Sequence, residues 1–340
     1  MAETNLVRPY RDDDFAALGA LIDEILAPER VMTRASLRSF LSVPGYCPQT
    51  DLFVASSPTD NELVGARDVR ITARGDEDVL ILESWGDVHP AVRGSAIAGV
   101  LLRTALDRGK RLVSDRGRAR GIFQARCDAD DHLSAAAFEA VGLHHARDIV
   151  TMKKSTLDDI NEPHFPAGVT LRTYRVGDDD AAWVAAFNEA FAGHWGGFMG
   201  ISADLWGHYR GGAEFKPEIS LVATDGPEIA GFCHCRIDDE LNALTGRRLG
   251  MIRYIGVRPA WRGRGLGTAL TLASLRTLRD AGMDAVVLGV DAENVTGARR
   301  LYDRHGFTFV GCQVMYRGDL IVVVTPATQG GVVRNEGELA

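Results

Sequence analysis

Glycine and arginine alternate in a short stretch of this 340-residue chain. The stretch contains Arg262, Gly263, Arg264, Gly265 and Gly267. Glycines leave no side chains in a turn, so successive backbone N–H groups can point inward at an anion. The two arginines add positive charge for outer phosphate groups. The pattern predicts a loop that holds phosphates, and the simplest alternative is a tight turn between a strand and a helix.

Two better-known phosphate-binding loops fit this stretch badly. No Gly-Lys-Ser or Gly-Lys-Thr follows the glycines, which argues against the P-loop of nucleotide hydrolases. The third glycine comes one position too early for the dinucleotide-binding fingerprint.

The elements on either side are expected to position the loop. A strand over 251–257 precedes it, and a helix begins near Leu266 and ends before Gly282. A short buried strand over 285–290 follows, and then a last helix that carries Tyr302. The first of these helices directs the positive end of its dipole at the loop.

Further motifs surround the loop in a fixed order: Val257-x-Pro259, Arg262-x-x-Gly265-x-Gly267, Asn294, Leu301-Tyr302 and Gly306-Phe307. In order and spacing, these motifs closely resemble the GNAT superfamily of acyl-CoA-dependent N-acyltransferases. The resemblance implies that the loop cradles the pyrophosphate of coenzyme A. It also implies that the preceding strand splays from its neighbour and pairs with the pantetheine arm.

The resemblance assigns roles to individual residues. The implied cofactor contacts are Ile255, Gly256, Val257, Arg262, Gly263, Arg264, Gly265, Leu266, Gly267, Thr268 and Asn294. Tyr302 occupies the position of the family's usual proton donor to the departing thiolate, and its alternative role is aromatic packing under the last helix. The backbone N–H groups near the end of the strand are the implied donors to the oxyanion. Acetyl-CoA is the implied donor of the acyl group.

The base that removes a proton from the acceptor amine stays open. A lysine-like ammonium has a reference pKa of about 10.4 and must lose a proton before it can attack. The strand before the loop contains Arg253 and Tyr254 but no carboxylate. Several residues elsewhere remain possible bases: Glu189, His194, His234 and Asp238.

The chain from about 183 to 206 is expected to form two short helices joined by a glycine-rich segment. The resemblance places this region over the acceptor pocket and implies substrate contacts by His194 and Trp195. Phe198 and Trp206 are further candidates. The alternative is that these aromatic residues belong to the hydrophobic core.

An internal repeat indicates a duplicated domain. Arg8-Pro9-Tyr10-Arg11 and Arg172-Thr173-Tyr174-Arg175 lie 164 positions apart, and each is followed by three aspartates. A period this long is not that of a solenoid. We therefore predict a degenerate N-terminal domain over 1–157, a linker over 158–168, a catalytic C-terminal domain over 169–325 and a loose tail over 326–340.

The N-terminal copy departs from the motif at the positions that matter for chemistry. Ala96 and Ala98 replace the second and third loop glycines, and alanine disfavours the positive φ that glycine permits. Phe138 replaces the tyrosine, and Asp130 places a negative charge where the asparagine would lie. We expect this copy to keep the fold and to lack catalysis, and weak cofactor binding there stays open.

Composition excludes several classes of function. A net charge of −8 argues against a nucleic-acid partner, and we interpret the arginines between 103 and 126 as a solvated face. No apolar run approaches the ~20 residues of a membrane span, and the N-terminus has no signal-peptide core. We expect a cytoplasmic protein without a membrane partner, either a monomer or a homodimer.

The five cysteines lack the paired spacing of a disulfide framework or a zinc site. On a strand, Cys233 and Cys235 point to one face and His234 to the other, so the three cannot share an ion. We expect no metal.

The expected fold class is α/β (α+β), with two tandem GNAT folds, each a mixed and mostly antiparallel sheet flanked by helices. The expected function is transfer of an acetyl group from acetyl-CoA to a primary amine of a small molecule by direct attack in the C-terminal domain. Two-copy GNAT chains resemble mycothiol synthase, so a cysteinyl-sugar amine is an alternative acceptor. A non-catalytic acyl-CoA-binding regulatory protein is a further alternative.

Overall fold

The computed structural model describes residues 6–26, 32–74, 79–192, 200–294 and 297–322. The strands are β1 (Val7–Pro9), β2 (Leu52–Ser56), β3 (Leu63–Asp68), β4 (Arg70–Arg74), β5 (Leu80–Ser84), β6 (Gly86–Val88), β7 (Arg120–Asp128), β8 (His144–Lys154), β9 (Val169–Thr173), β10 (Leu221–Asp225), β11 (Glu228–Ile237), β12 (Leu249–Val257), β13 (Ala285–Asp291) and β14 (Thr308–Ile321). The helices are α1 (Phe15–Leu26), α2 (Arg34–Leu41), α3 (Pro48–Asp51), α4 (Ala96–Ser114), α5 (His132–Ala140), α6 (Asp180–Phe191), α7 (Ala203–Gly211), α8 (Asp239–Thr245), α9 (Leu266–Asp280) and α10 (Ala298–Arg304). The tail predicted over 326–340 lies outside the described residues.

The two halves begin with the same local structure. Arg8 donates two hydrogen bonds of 2.7 Å to Asp14, and Arg172 donates two of 2.6 and 2.8 Å to Asp179. In each half the carboxylate also accepts a backbone N–H three or four residues earlier. The internal repeat in the sequence therefore corresponds to a repeated arrangement of charged side chains at the start of each half.

Within the described residues, the strands form one sheet of ten and one of four. The larger sheet has the order β4-β5-β7-β14-β8-β13-β12-β11-β10-β9, and the smaller one has the order β1-β2-β3-β6. Neighbouring strands are antiparallel except for β5 with β7 and β12 with β13. Helices pack on the sheets, which gives the mixed and mostly antiparallel architecture that the sequence predicted.

The two halves exchange their last strands. β14, the last strand of the C-terminal half, lies between β7 and β8 of the N-terminal half. β8 in turn pairs with β13 of the C-terminal half, with Val150 opposite Val290. The two halves therefore share backbone hydrogen bonds in one continuous sheet.

Helix α9 connects the sheet to the glycine loop. It buries apolar side chains along the face that packs on the sheet: Leu266, Ala269, Leu270, Ala273 and Leu278. Thr271 and Ser274 are also buried, and each hydroxyl donates a 2.8 Å hydrogen bond to the carbonyl oxygen four residues earlier. This packing fixes where the N-terminus of α9 lies relative to β11 and β12. Among the helices in the described part of the chain, none has the length and apolar content needed to cross a bilayer.

Candidate active site

Strands β12 and β13 pair over only part of their lengths. Their parallel pairing runs from Leu249 opposite Ala285 to Ile252 opposite Leu288, although β12 continues to Val257. Beyond Ile252, the edge of β12 that faces β13 is not paired with that strand. Unpaired backbone groups form hydrogen bonds with any extended chain that fits beside them. The gap between the strands can therefore accept an extended ligand arm alongside 253–257.

The side chains on this segment keep the strand in place. Gly256 lies opposite Phe232 on β11, and a methyl group at position 256 would overlap the Phe232 ring. Ile255 and Val257 are partly buried against the apolar clusters under α9. A glycine is needed at position 256 because the Phe232 ring takes up the space of a side chain.

The glycine loop presents backbone N–H groups at the start of α9. Gly263 has φ of +75° and Gly265 has φ of +83°, and a Cβ at either position would meet nothing within 4 Å. These glycines are therefore required by their backbone conformation and not by lack of space. Gly265 is the N-cap of α9 and has no side chain to bond the first N–H groups of the helix. The N–H groups that follow, at Leu266, Gly267 and Thr268, are oriented as a helix N-terminus presents them to an anion.

The two loop arginines differ in their surroundings. Arg262 donates a 3.0 Å hydrogen bond to the Val257 carbonyl and a 2.7 Å hydrogen bond to the Ala190 carbonyl. Its guanidinium thus fastens the end of β12 to the end of α6. Arg264 is exposed beside Gly263 and Gly265. Of the two, Arg264 is the side chain placed to reach an outer phosphate.

Tyr302 lies on α10 with its ring packed against Phe307, at 5.6 Å between ring centres. Burial raises the pKa of the Tyr302 hydroxyl, and the nearby Cys233 thiol raises it further. The hydroxyl therefore holds its proton at neutral pH, as a proton donor must. Asn294 lies in the turn after β13, where its N–H donates to the Asp291 carbonyl at 3.1 Å and its carbonyl accepts from Gly297 at 3.3 Å.

The structure describes three of the four possible bases, and each lies in surroundings that do not suit a general base. Glu189 accepts from Arg258 at 2.6 Å, and Asp238 caps α8 by accepting from the Leu241 N–H at 2.8 Å. His234 is only 3% exposed, and burial followed by the charge of Arg253 lowers its pKa to about 3. Such a weakly basic imidazole is a poor acceptor of a proton from an ammonium.

Cys233 and Cys235 lie together on the face of β11 opposite His234, with 3.6 Å between their sulfur atoms. His234 instead packs among the rings of Trp206 and Phe215, at 5.3 and 5.2 Å. The three side chains therefore point to two faces, as the alternation on a strand predicts. Over the described ranges, no cluster of three histidine, cysteine or acidic side chains could hold a metal ion.

Trp206 belongs to the hydrophobic core. It is 1% exposed, stacks on Trp183 at 3.6 Å between ring centres, and donates its indole N–H to the Tyr174 hydroxyl at 2.9 Å. The interpretation of Trp206 as a substrate contact is therefore wrong, because the ring has no face open to a ligand. His194, Trp195 and Phe198 lie outside the described residues.

Sequence reasoning gave no role to two residues that are accessible in the middle of the sheet. Met251 is 39% exposed and Arg253 is exposed, although β12 lies between β11 and β13. The pairing of β12 with β11 shifts register there: His234 lies opposite Tyr254 and Cys235 opposite Ile252. Arg253 is the extra residue of a β-bulge, a feature that re-aims side chains near active sites. An arginine inside a strand of otherwise apolar residues was the available sequence signal.

The corresponding loop of the N-terminal half is built differently. Gly94 has φ of +82°, but Ala96 is the first residue of α4 and has no positive φ. Ala96 thus avoids the positive φ that alanine disfavours, because the helix begins one position earlier than in the C-terminal copy. Ser95 caps it by accepting from the Ile97 N–H at 3.4 Å. The Ser95 hydroxyl thus accepts from a backbone N–H group at the helix N-terminus, whereas Gly265 has no side chain to do so in the C-terminal loop.

Phe138 takes the place of Tyr302 in the N-terminal half. The N–H of Leu143 donates to the Phe138 carbonyl at 3.0 Å, just as Phe307 donates to Tyr302 at 3.1 Å. The guanidinium of Arg67 lies 5.4 Å from the centre of the Phe138 ring, and both residues line a cavity of about 340 Å³. The N-terminal half therefore keeps a cleft at the equivalent place without the hydroxyl.

Comparison with known proteins gives the same picture. The family model described as Acetyltransferase (GNAT) family matches residues 197–307. A mycothiol acetyltransferase of Thermobispora bispora is 36% identical over 68% of this chain and 74% of that protein. One of Streptomyces bingchenggensis is 38% identical over 68% of this chain and 70% of that protein. One of a Parafrankia species is 32% identical over 84% of this chain and 98% of that protein.

Solved structures resemble the whole chain. A GCN5-related N-acetyltransferase from Sphaerobacter thermophilus has a TM-score of 0.71 at 26% identity, over 93% of this chain and 96% of that chain. A tandem GNAT protein from the clavulanic acid biosynthesis pathway has a TM-score of 0.65 at 16% identity, over 92% of this chain and 98% of that chain. At 16% identity, the likeness to the second structure shows a shared fold alone. With the topology above, these likenesses confirm the expected fold class.

Proposed function

Because the chain belongs to the GNAT acetyltransferase family, and is thus an acyltransferase that uses acyl-CoA, we propose that it transfers an acetyl group from acetyl-CoA to a primary amine of a small molecule. The observation that carries this proposal is the gap between β12 and β13, which ends at an uncapped helix N-terminus. An extended arm fits the gap, and phosphates fit the helix end. Few ligands other than an acyl-CoA combine these two parts.

The proposed reaction is a direct attack by the amine on the thioester carbonyl. The amine nitrogen forms a bond to the carbonyl carbon, and the oxyanion that develops is stabilised by backbone N–H groups near Ile255 and Val257. The oxyanion then re-forms the carbonyl as the carbon–sulfur bond breaks, and the thiolate takes a proton from Tyr302. The amine nitrogen gives its proton to a base or to solvent, and Tyr302 regains a proton from solvent. Thiolates of this kind have a reference pKa of about 8.5, so a nearby proton donor favours departure.

The C-terminal half is the proposed site of catalysis. Tyr302 has a hydroxyl, whereas Phe138 at the equivalent place has none. The uncapped N–H groups after Gly265 contrast with those after Ser95, where the serine hydroxyl accepts one of them. Both differences favour productive binding of acyl-CoA in the C-terminal half.

A cysteinyl-sugar amine is the second candidate acceptor. It is favoured by relatives of 36% and 38% identity that are named mycothiol acetyltransferases. The strand before the loop carries Met251 and Arg253 and no carboxylate, so the proton acceptor for the amine has to come from elsewhere or from solvent.

The test is release of free thiol from acetyl-CoA in the presence of amine pools, with the cysteinyl-sugar amine as a separate arm. Amine-dependent thiol release, with the acetylated amine identified by mass spectrometry, is the expected result. Tight binding of acetyl-CoA without thiol release for any amine would instead support a regulatory protein that binds acyl-CoA. Release with the cysteinyl-sugar amine alone would assign the second candidate.

A further inference from the structure

The middle of the large sheet is open to solvent on one face. Met251 and Arg253 are exposed although their strand has a neighbour on each side. A central strand is normally covered on both faces by helices or by another sheet. Exposure at this place therefore indicates a cleft over the sheet. The cleft lies on the face of the sheet where Tyr254 contacts Phe187 of α6, with 5.0 Å between their ring centres.

The cleft lies at the thioester end of the cofactor gap. Val257 lies four positions after Arg253 along the extended strand, a span of about 13 Å at about 3.3 Å per residue. Arg253 is thus too far along the strand to contact phosphates bound at the glycine loop. It lies instead beside the point where β12 and β13 separate, close to where an acceptor must meet the acyl group.

Guanidinium groups from both halves lie near enough to Arg253, or to one another, to affect each other's pKa. Burial and then the charge of Arg253 lower the pKa of Arg236 to about 10. Burial, then Arg253 and then Arg70 lower the pKa of Arg126 to about 10. Arg70 and Arg126 belong to β4 and β7 of the N-terminal half, whereas Arg236 and Arg253 belong to β11 and β12. The four charges are therefore close enough to act on one another across the junction of the halves.

Contacts between the halves hold this junction together. Ser36 on α2 donates a hydrogen bond of 2.5 Å to Glu214, and Ser39 lies 3.3 Å from the imidazole of His208 on α7. Glu214 also forms an ion pair with Arg236. Through Glu214, α2 of the N-terminal half is thus linked to Arg236 on β11, the strand next to β12.

Three of the four arginines have a carboxylate partner. Arg70 pairs with Asp68 at 2.8 Å, Arg126 with Glu83, and Arg236 with Glu214. Arg253 forms no ion pair with a carboxylate in the described part of the chain. Its guanidinium instead lies 5.1 Å from the centre of the Tyr254 ring.

Arg253 is consequently the guanidinium of this group whose charge no carboxylate among the described residues balances directly. The phenol of Tyr254 raises the pKa of Arg253, and the surrounding walls of the cleft oppose this rise without cancelling it, so that the accessible Arg253 stays charged. A charged guanidinium without a carboxylate partner is a favourable partner for an anionic oxygen. A carboxylate or a phosphate would supply two oxygens to the planar fork of the arginine.

We propose that the acceptor carries an anionic group, a carboxylate or a phosphate, in addition to its amine, and that Arg253 binds this group in the cleft between the halves. This inference rests on the proposed acetyl transfer and names the class of acceptor. Arg253 is then a residue that determines specificity, while Arg126 and Arg236 stay paired with Glu83 and Glu214.

The experiment compares amines in matched pairs that differ in one anionic group. Suitable pairs are β-alanine with β-alaninamide, phosphoethanolamine with ethanolamine, and glucosamine 6-phosphate with glucosamine. The measured quantity is the ratio of kcat/KM for the anionic member to kcat/KM for the neutral member. Pairs with a carboxylate and pairs with a phosphate distinguish the two sources of the anion.

Three variants complete the design. Arg253→Gln removes the charge and keeps a polar side chain, and Arg253→Lys keeps the charge without the fork. Arg248→Gln is the matched control, because Arg248 immediately precedes the same strand and pairs on the surface with Asp284 at 2.6 Å. Calorimetric binding of acetyl-CoA to each variant checks that the fold and the cofactor site are intact.

The wild-type ratio should exceed about tenfold for at least one pair. Arg253→Gln should reduce this ratio by about tenfold to a hundredfold, the usual effect of losing a charge-assisted hydrogen bond. Arg253→Lys should restore part of the ratio, and Arg248→Gln should leave it unchanged. Equal turnover of both members of every pair, or an unchanged ratio in Arg253→Gln, would overturn the inference and leave the acetyl transfer standing. Turnover of none of these amines and none of the amines in the thiol-release assay, the cysteinyl-sugar amine included, despite normal acetyl-CoA binding would overturn both.

Discussion

His234 should make the protein lose stability in acid, and replacing it should remove part of that loss. The side chain is 3% exposed, and neither ring nitrogen has a hydrogen-bond partner in the described part of the chain. It lies instead among aromatic rings, with Trp206 and Phe215 at 5.3 and 5.2 Å. A charged imidazolium at this place would be desolvated and unpaired, so the folded protein keeps His234 neutral.

The magnitude follows from the difference between the folded and unfolded pKa values. Burial and then Arg253 lower the folded pKa of His234 to about 3, whereas an unfolded histidine has a pKa of about 6.5. Between these values the unfolded chain binds a proton that the folded chain does not. The stability that the folded protein keeps by holding His234 neutral is therefore fully present above pH ~6.5 and is lost as the pH falls toward ~3. At pH ~4.5, about two units below the unfolded value, the loss is about 2.7 kcal/mol.

The variant His234→Leu removes this titration with a side chain of similar size. At pH 8 we expect the free energy of unfolding to change by less than about 1.5 kcal/mol, because loss of ring packing opposes the removal of unpaired polar atoms. The free energy of unfolding of the variant minus that of the wild type should rise by about 2.7 kcal/mol between pH 8 and pH 4.5.

The assay is urea unfolding followed by tryptophan fluorescence at pH 8, 6 and 4.5 for both proteins. Subtracting the free energy of unfolding of the wild type from that of the variant at each pH cancels the effect of the other titrating groups. His144→Gln, which replaces an exposed histidine on β8, controls for the loss of a histidine as such. A difference that stayed constant to within about 0.5 kcal/mol across this range would refute the assignment of a buried neutral imidazole.

Three further changes test the site and the strand beside it. Tyr302→Phe should lower kcat by about tenfold or more while the Kd of acetyl-CoA, measured by calorimetry, stays nearly unchanged, and an intact kcat would remove the proposed donor role. Gly265→Ala should raise the Kd of acetyl-CoA and lower the free energy of unfolding by about 1 kcal/mol, because alanine disfavours the φ of +83° although there is space for a methyl group. An unchanged Kd would contradict the proposed phosphate-binding loop. Gly256→Ala should lower the free energy of unfolding by about 1–3 kcal/mol through overlap with Phe232, whereas Gly311→Ala, in another strand with open space, should change it far less. Equal losses for these two glycine variants would show that packing against Phe232 is not the cause.

The sequence alone determined the local structure around the loop. The predicted strand over 251–257 is found as Leu249–Val257, the predicted strand over 285–290 as Ala285–Asp291, and the helix begins at Leu266 as expected. These features depend on neighbours in the chain: the period of apolar residues, the glycines that permit a positive φ, and the helix-ending glycine. The internal repeat was also visible because its two copies keep similar residues at similar spacing.

The tertiary structure alone decided which strands pair and which side chains meet. The exchange of β8 and β14 joins residues more than a hundred positions apart, and no local period records such a partner. The bonds of Arg262 to Val257 and Ala190, the burial of Trp206, and the helix that starts at Ala96 depend likewise on contacts made after folding. The same reason explains why the exposure of Arg253 could not be predicted. A residue in a central strand becomes accessible only when the elements packed above it leave a cleft, and their positions are set by the whole fold.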